Sequence, residues 1–541
     1  MPPGRVGPQP AALQGAKSRA ERGEGLVLRD QAKVMSVTPT AAAPRDPLGQ
    51  GCVLGIDIGT TGAKAIAFDA AGAPLARAYR DYPLLVGPGG TAELEAHDVL
   101  AALRHILCDV AAEVEAAGCG PVRAVATAAQ GEAVTPVDGG GQPMGRSILT
   151  FDRRGETGRT ALAADGWEAR TEATGMPLSW IVTAAKLAWL RRDDPAAFAG
   201  AAAFLCYEDL LVAQLTGTAV ISDSLAQRTW LLDRRRRAWD AAALSDLGLT
   251  GRTAQVAAMG SAVGQVSAPG SAAFGLPRGC LVVAGAHDQT AALIGAGAVR
   301  PGMAAHSTGT VDCLSLTLAD CPAAPLTARG YGVGLHPLPG LAVTLAFGFG
   351  GGSLLSWWQK IVGGTAIGEL LAEVPLHPGG PFAVPFWAGS GTPDLDAGDL
   401  GALFGLTLDA DRAALTAALL RGMAYEGRRN LAVLTSLGVD VTAIRLVGGG
   451  ARDPRWSQLR ADATDRSYTE MPLRDAGCLG AAILAAVGCG MHPDLTAACE
   501  AMVHTAHTFE PDPGRVAAHT AGFAAYCAAV SATRGVRAAQ R

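Results

Sequence analysis

The sequence predicts an α/β protein of two large domains, and three observations predict it. The chain is 541 residues long, 49% apolar and 17% charged, enough for more than one core of ordinary size. Strand-like and helix-like apolar patterns alternate along it, as in folds that layer helices on a sheet. A strand, a threonine-bearing turn and a second strand open the ordered region at residue 53, and a weak echo of that theme returns at residue 303.

The opening unit is VLGIDIG, then GTTG at 59–62, then AKAIAFD at 63–69, with a third strand-like run, PLARAYRDY, after it. That spacing describes an antiparallel hairpin with a turn rich in glycine and threonine. Residues 98–117 have helical spacing, VRAVATAA at 122–129 reads as a strand, and helices are expected near 182–192 and 207–216. The second half begins with LVVAGAHD, an apolar strand with a polar end, followed by helical ALIGAGAV and by MAAHSTGTVDCLSL at 303–316. GGSLLSWWQKI, residues 411–436, the strand IRLVGGGA with the helix PRWSQLRADAT, and the small-residue helix 476–488 complete it. The expected division is a flexible extension over 1–50, an N-terminal domain over 51–286, a C-terminal domain over 287–490 and a helical segment over 491–541.

Composition removes several function classes. A net charge of −5 gives no electrostatic reason for a nucleic-acid partner. The arginine run at 234–237 reads as a solvated loop or helix start, and Trp357-Trp358 as core. Eleven cysteines without a CxxC pair favour reduced, buried thiols in a cytoplasm over disulfides or a zinc site. No stretch reaches the ~20 apolar residues of a membrane span. The first 50 residues lack a signal peptide's apolar core, Glu21, Glu24 and Asp30 argue against a transit peptide, and Met35 offers an alternative start. Only five of the 44 basic residues are lysine, so Lys64 in a sensitive place stands out.

Four clusters carry chemistry. Asp57 ends a strand before a turn whose backbone N–H groups, Thr60, Thr61 and Lys64 converge. Phosphate oxygens need such donors, and an aspartate there holds Mg²⁺ through water. The GxxxxGK[ST] loop is absent, and alone the unit reads either as a phosphate cradle or as an ordinary hairpin. Ser307, Thr308, Gly309 and Thr310 form a second such turn. Glycines 448–450 let backbone approach a flat ring or ribose, or simply make a tight turn into a helix. Asp288, between an apolar strand and a helix, is either a cap or a general base.

The order of these clusters resembles the FGGY family of carbohydrate kinases, within the actin-like (ribonuclease H-like) ATPase superfamily, over roughly residues 53–488. The similarity rests on DIGTTGAK (57–64), AHDQTAALIGAGAV (286–299), STGT (307–310), VGGGARDPRWSQLRAD (447–462) and DAGCLGAAILA (475–485), with TAAKLAWLRR (183–192) and GSGTPDLDAGDLGALFGL (389–406) between them. The resemblance implies two actin-like domains flanking a nucleotide and sugar cleft, and ATP-dependent phosphorylation of a sugar or polyol hydroxyl. On that pattern Asp57 positions Mg²⁺, and Thr60, Thr61, Lys64, Gly309 and Thr310 surround the phosphates. Gly449, Gly450 and Gly352 lie by the nucleotide, and Asp288 is the base.

The acceptor side departs from the family. Gln130-Gly131-Glu132 stands where glycerol kinases read NQRET and xylulokinases GQMHG, keeping the carboxylate of the first but losing its arginine. Asp152 and Arg154 match the family's WxDxR segment and are expected to bind hydroxyls, and Trp180 either stacks on a sugar or belongs to the core. Leu400 stands where an arginine is common, and the GSGTP segment lacks the usual Glu-Arg. Glycerol is disfavoured, and the expectation is a cytoplasmic, Mg·ATP-dependent kinase of a ketose, a pentulose first. A polyol such as erythritol or a hexulose is the alternative acceptor. A catalytically silent sensor is the rival reading, and a filament or chaperone ATPase would need neither Asp288 nor the acceptor residues. The expected partners are small molecules, with neither nucleic acid nor membrane, and a homodimer is left open.

Overall fold

The computed structural model describes residues 51–309, 311–375, 379–449 and 453–539. Two seven-stranded sheets dominate them. In the first, Cys52–Ile58 pairs antiparallel with Gly62–Phe68, which pairs with Pro74–Asp81; on its other side Cys52–Ile58 runs parallel to Val122–Ala129. The second sheet repeats the plan. Met303–Thr308 pairs antiparallel with Asp312–Ala319, which pairs with Leu341–Gly348, while Ala443–Val447 runs parallel on its other side. The sequence echo between 53 and 303 is therefore a repeated sheet topology.

Alternation decides what each face of the first sheet does, because successive side chains point to opposite sides. Cys52, Leu54, Ile56 and Ile58 face the helix Ala96–Ala116 and share its core. Val53 faces the other way, into a second core with the helix Ala476–Gly488. Gly55 is on that face too, and a Cβ there would lie 1.8 Å from the Cys478 carbonyl oxygen. Asp57, next on the same face, is carried to the end of the sheet, where Gly477 leaves it room.

The apolar run at 281–288 is not one strand. It divides into Leu281–Val283 and Ala286–His287, both parallel to Val122–Ala129. Between them Gly285 presses on the neighbouring strand, where a Cβ would lie 1.9 Å from the Thr127 carbonyl oxygen, and its N–H donates to Glu208 Oε1 at 2.6 Å. Glu208 also accepts from the Ser222 N–H and hydroxyl at 2.8 and 2.7 Å, and burial pushes its carboxyl up to about 7. The arginine run at 234–237 connects the short strands Leu232–Asp233 and Ala238–Trp239. It is not solvated throughout: Arg234 is 5% exposed and pairs with Asp320 beside the second sheet.

All eleven cysteines are free. Among the described residues no helix is long and apolar enough to cross a membrane, and none of the His, Cys, Asp and Glu side chains group in threes to hold a metal.

The helices Asp288–Gly295 and Ala476–Gly488 cross with almost no side chain between them. A Cβ on Gly480 would sit 1.8 Å from the Ala291 carbonyl oxygen, and one on Gly295 2.0 Å from that of Ala476. Because the obstacle is backbone, Gly480→Ala is expected to destabilise the protein by about 2 kcal/mol or more. Denaturant unfolding measures this, and an unchanged midpoint would remove the close-packing argument.

Candidate active site

A cleft of about 560 Å³ opens at the ends of both sheets. Register sets its floor. Asp57 lies opposite Lys64 on one neighbouring strand and Ala128 on the other, while Ala286–His287 pairs with Ala128 and Ala129. Asp57 and Asp288 therefore face the cleft from either side of the strand Val122–Ala129. Burial raises the Asp57 carboxyl above the ordinary range, with Lys64 opposing. Asp288 is deep in the molecule yet open to the cleft, its side chain 32% accessible. Burial, then the charge of Asp57, push its carboxyl up to about 7, against a 2.6 Å hydrogen bond from the Gln289 N–H.

The turn after Asp57 presents its backbone in a fixed shape. Gly59 N–H donates to the Gly62 carbonyl at 3.1 Å, and the Gly59 carbonyl accepts from Tyr82 at 2.6 Å and from Gln130 Nε2 at 3.1 Å. Lys64 Nζ is 2.5 Å from Asp475 Oδ1, and Arg77 reaches the other oxygen at 3.2 Å. Burial opposes the Lys64 charge, but Asp475 outweighs it and raises the ammonium pKa. Asp475, at the start of the helix Ala476–Gly488, went unassigned in the sequence because nothing local marks an aspartate as the partner of a lysine 411 positions away.

Across the cleft the second turn divides its residues by strand alternation. Ser307, Gly309, Val311 and Cys313 line the cleft, whereas Thr308 points away from it. Thr308 Oγ1 donates to Asp312 Oδ1 at 2.7 Å, His306 Nε2 is 3.0 Å from Asp312 Oδ2, and Arg460 reaches both Thr308 and Asp312. Despite burial, His306 and Arg460 hold the Asp312 carboxyl well below the usual range. Arg460 belongs to the helix Pro454–Thr464, which follows the glycine turn at 448–450, and is 1% exposed. This buried cluster ties the turn at 307–309 to the helix Pro454–Thr464.

The end of the cleft at residues 130–132 is built on an unusual turn. Ala133 N–H donates to the Gly131 carbonyl at 2.8 Å, with Glu132 between them at φ 60°, a left-handed conformation rare for a non-glycine residue. Lys186, in the helix Thr183–Asp193, holds the turn by donating to the carbonyls of Glu132 at 3.1 Å and Ile181 at 2.5 Å. Burial pushes its ammonium down to about 8, against the pull of Glu132. Thr150 Oγ1 donates to the Gly131 carbonyl at 2.5 Å, and Arg228 makes an ion pair with Glu132. His287 Nε2 is 3.1 Å from Asp288 Oδ1, and burial, then Arg228, lower the imidazole pKa well below its ordinary value.

Most of the expected site residues converge on this cleft: Asp57, Thr60, Thr61, Lys64, Gln130, Glu132, Asp288, Gly309 and Gly449 all line it. Thr310 and Gly450 lie outside the described residues, as does the extension over 1–50. Asp152 and Arg154 do not line the cleft, correcting the expectation that they bind hydroxyls. The Asp152 carboxylate accepts from the Ala92 N–H at 2.8 Å and from Arg154 Nε at 2.8 Å, and Arg154 also pairs with Glu93 at 2.5 Å. They fasten a loop. Trp180 packs against Phe349 under Arg153, leaving Ile181 to line the cleft, and the Gly352 N–H donates to the Gly309 carbonyl at 2.7 Å.

Residues 52–295 match the N-terminal domain, and residues 304–489 the C-terminal domain, of the FGGY family of carbohydrate kinases. A glycerol kinase from Gloeobacter violaceus is 30% identical over 465 residues, covering 82% of this chain and 89% of that protein. The chain belongs to the FGGY family of carbohydrate kinases. A xylulose kinase from Lactococcus lactis subsp. lactis is 25% identical over 86% of this chain and 93% of its own length. A solved structure described as a xyloylose kinase from Brucella ovis superimposes with a TM-score of 0.82 at 29% identity, covering 90% of this chain and all of that one. The FGGY fold is that of actin-like ATPases, and the chain is an ATP-dependent carbohydrate kinase.

Within this FGGY kinase, Arg228, His287 and Asp475 line the cleft and Lys186 holds the Glu132 turn from behind it; motif reading assigned none of the four a role. The scarcity of lysine that singled out Lys64 also marks Lys186. The buried Arg460–Asp312 pair went unseen because each residue is unremarkable in its own segment. Breaking it leaves a charge uncompensated, so Asp312→Asn alone is expected to cost about 3–5 kcal/mol. Combining it with Arg460→Met should recover at least half, and a double-mutant cycle by denaturant unfolding tests this. Additive losses would mean that the pair does not act as a unit.

Proposed function

We propose that the chain transfers the γ-phosphoryl group of ATP to a hydroxyl of a ketose, a pentulose first, with Asp288 as general base. The observation that supports this most is Asp288 itself, a cleft-facing carboxyl whose pKa lies near neutrality beside Asp57 and between the two sheets. A base poised there accepts a hydroxyl proton as the phosphoryl group arrives. The transition state is loose and highly charged, so most of the rate comes from positioning and charge stabilisation. In this reading Thr60, Thr61, Lys64, Ser307 and Gly309 surround the phosphates, and Gly449 lies by the nucleoside. The first half supplies sugar and phosphate contacts and the second supplies nucleotide contacts.

The donor set fits Mg²⁺ in one particular way. With no three-ligand cluster among the described residues, the protein would contribute Asp57, and phosphate oxygens and water would complete six oxygens. The ion would supply charge neutralisation at the phosphates. All eleven cysteines being free supports a cytoplasmic setting.

A ketose is preferred because the acceptor stretch departs from that of glycerol kinases. The second reading is a polyol kinase, favoured by the glycerol kinases among the relatives at 30–31% identity. ADP release measured across pentuloses, hexuloses and C3–C5 polyols decides between them. Fastest turnover on a pentulose is expected; a polyol preferred over every ketose would select the second reading, and no release with any acceptor would select a silent sensor.

Asp288→Asn should lower turnover by a factor of about 10² or more while ATP still binds. A base must be ionised to act, so wild-type kcat should be full above the Asp288 pKa of about 7 and fall as pH drops through it. Near-normal turnover in the variant, or a flat profile from pH 5 to 8, would remove Asp288 as the base. Asp57→Ala should raise the Mg²⁺ concentration needed for half-maximal rate, and an unchanged requirement would end that assignment.

A further inference from the structure

Glu132 has its arginine, but from another part of the chain. Glycerol kinases place an arginine directly before this glutamate, and here that position is Gly131. A Cβ on Gly131 would lie 2.7 Å from His287 Cδ2, 3.0 Å from His287 Nε2 and 3.4 Å from Arg228 Cγ. The volume a side chain at 131 would occupy is therefore filled by His287 and by the stem of Arg228. Arg228 ends the helix Asp223–Arg228, and its guanidinium pairs with Glu132. The missing cation of the acceptor stretch returns 96 residues after Glu132 in sequence, at the same carboxylate.

We infer that Arg228 is an acceptor-binding, specificity-determining residue that acts with Glu132 as a donor–acceptor pair for adjacent hydroxyls. Two buried polar atoms at this end of the cleft favour that role over a purely structural ion pair. Arg228 Nε and Gln130 Oε1 have no hydrogen-bond partner among the described residues, although Gln130 is only 4% exposed. A buried donor or acceptor left unpaired is costly, so a ligand that satisfies both is favoured here. One unsatisfied donor on Arg228, one unsatisfied acceptor on Gln130 and the Glu132 carboxylate, all on residues that line the cleft, match a vicinal diol, whose hydroxyls each donate and accept. Arg228 also borders a pocket continuous with the cleft and lined by Met176, Ile181, Leu335, Val343 and Phe347. That pocket shares Ile181, Arg228, His287 and Phe347 with the cleft and offers about 50 Å³ beside Arg228, room for carbons beyond the diol.

This inference rests on the proposed kinase reaction, and its test separates the two. Turnover would be measured with D-xylulose, D-ribulose, erythritol and glycerol for the wild-type chain, Arg228→Met and Arg228→Lys. Arg228→Met is expected to raise the KM of the preferred acceptor at least tenfold with the ATP KM within twofold. Arg228→Lys, which keeps charge but loses the planar fork, should fall between them and narrow the preference among the four acceptors. In Glu132→Gln with Arg228→Met the two losses should be less than multiplicative, because residues acting on one group are not independent. Wild-type turnover with an unshifted acceptor KM in Arg228→Met, or equal rises in both KM values, overturns the role of Arg228 alone. If Arg228→Met does not fold, an unshifted acceptor KM and preference in Arg228→Lys overturn it equally. Absence of turnover by the wild-type chain on all four removes the pentulose and polyol readings, and this inference with them.

Discussion

The structure is organised around two carboxylates that share one buried cleft. Asp57 and Asp288 flank a single strand; burial raises both carboxyls, and the charge of Asp57 makes Asp288 harder still to ionise. Left alone, such a pair resists a second negative charge. The cations around it do not remove the conflict: Lys64 is engaged with Asp475, and Arg228 with Glu132. The same arrangement keeps Asp288 near neutrality, where a base combines useful basicity with an adequate ionised fraction.

That geometry depends on residues with no side chain. Gly55, Gly480 and Gly295 let the helices Ala476–Gly488 and Asp288–Gly295 close on one another and on the first sheet. Without them the helix that begins at Asp475 could not reach Lys64, and the helix that begins at Asp288 would be displaced from Asp57. A backbone contact of this kind fixes position more tightly than a side-chain contact, since neither partner has a rotamer to change. Of the chain's 70 glycines, those at these crossings are required by backbone that leaves no room for a Cβ.

Much of the fold was legible because strands and helices each carry their own period. The strand Val122–Ala129 and the helices Tyr207–Thr216 and Ala476–Gly488 fall where the apolar pattern puts them. The run at 281–288 reads as one strand in the sequence; its break at Gly285, where the N–H turns to Glu208, is a tertiary fact that no local pattern marks. The cleft was legible where chemistry is local, as in the two threonine turns and Asp288. It was not legible where the partner is distant in sequence: Arg228 for Glu132, Asp475 for Lys64, Arg460 for Asp312. Asp152 and Arg154 show the converse error, since a motif match cannot say that a carboxylate is already taken by the backbone of Ala92.

The two halves are joined closely behind the acceptor pocket, and this bears on how the cleft can work. Gln227 is fully hydrogen-bonded there: its Nε2 donates to the carbonyls of Thr174 and Val333 at 2.7 and 2.9 Å, and its Oε1 accepts from the Leu335 N–H at 2.8 Å. Nearby Arg234 pairs with Asp320, and Glu172 accepts from the Ala324 N–H. Arg228 follows Gln227 directly in the chain, so this junction also holds Arg228 and, through it, Glu132. A second junction lies beside the turn at 59–62, where Lys64 meets Asp475 and Gly55 meets the Cys478 carbonyl. Both ends of the cleft are thus held by contacts between the two halves, so the spacing of Asp57 and Asp288 depends on packed backbone and not on loop conformation alone.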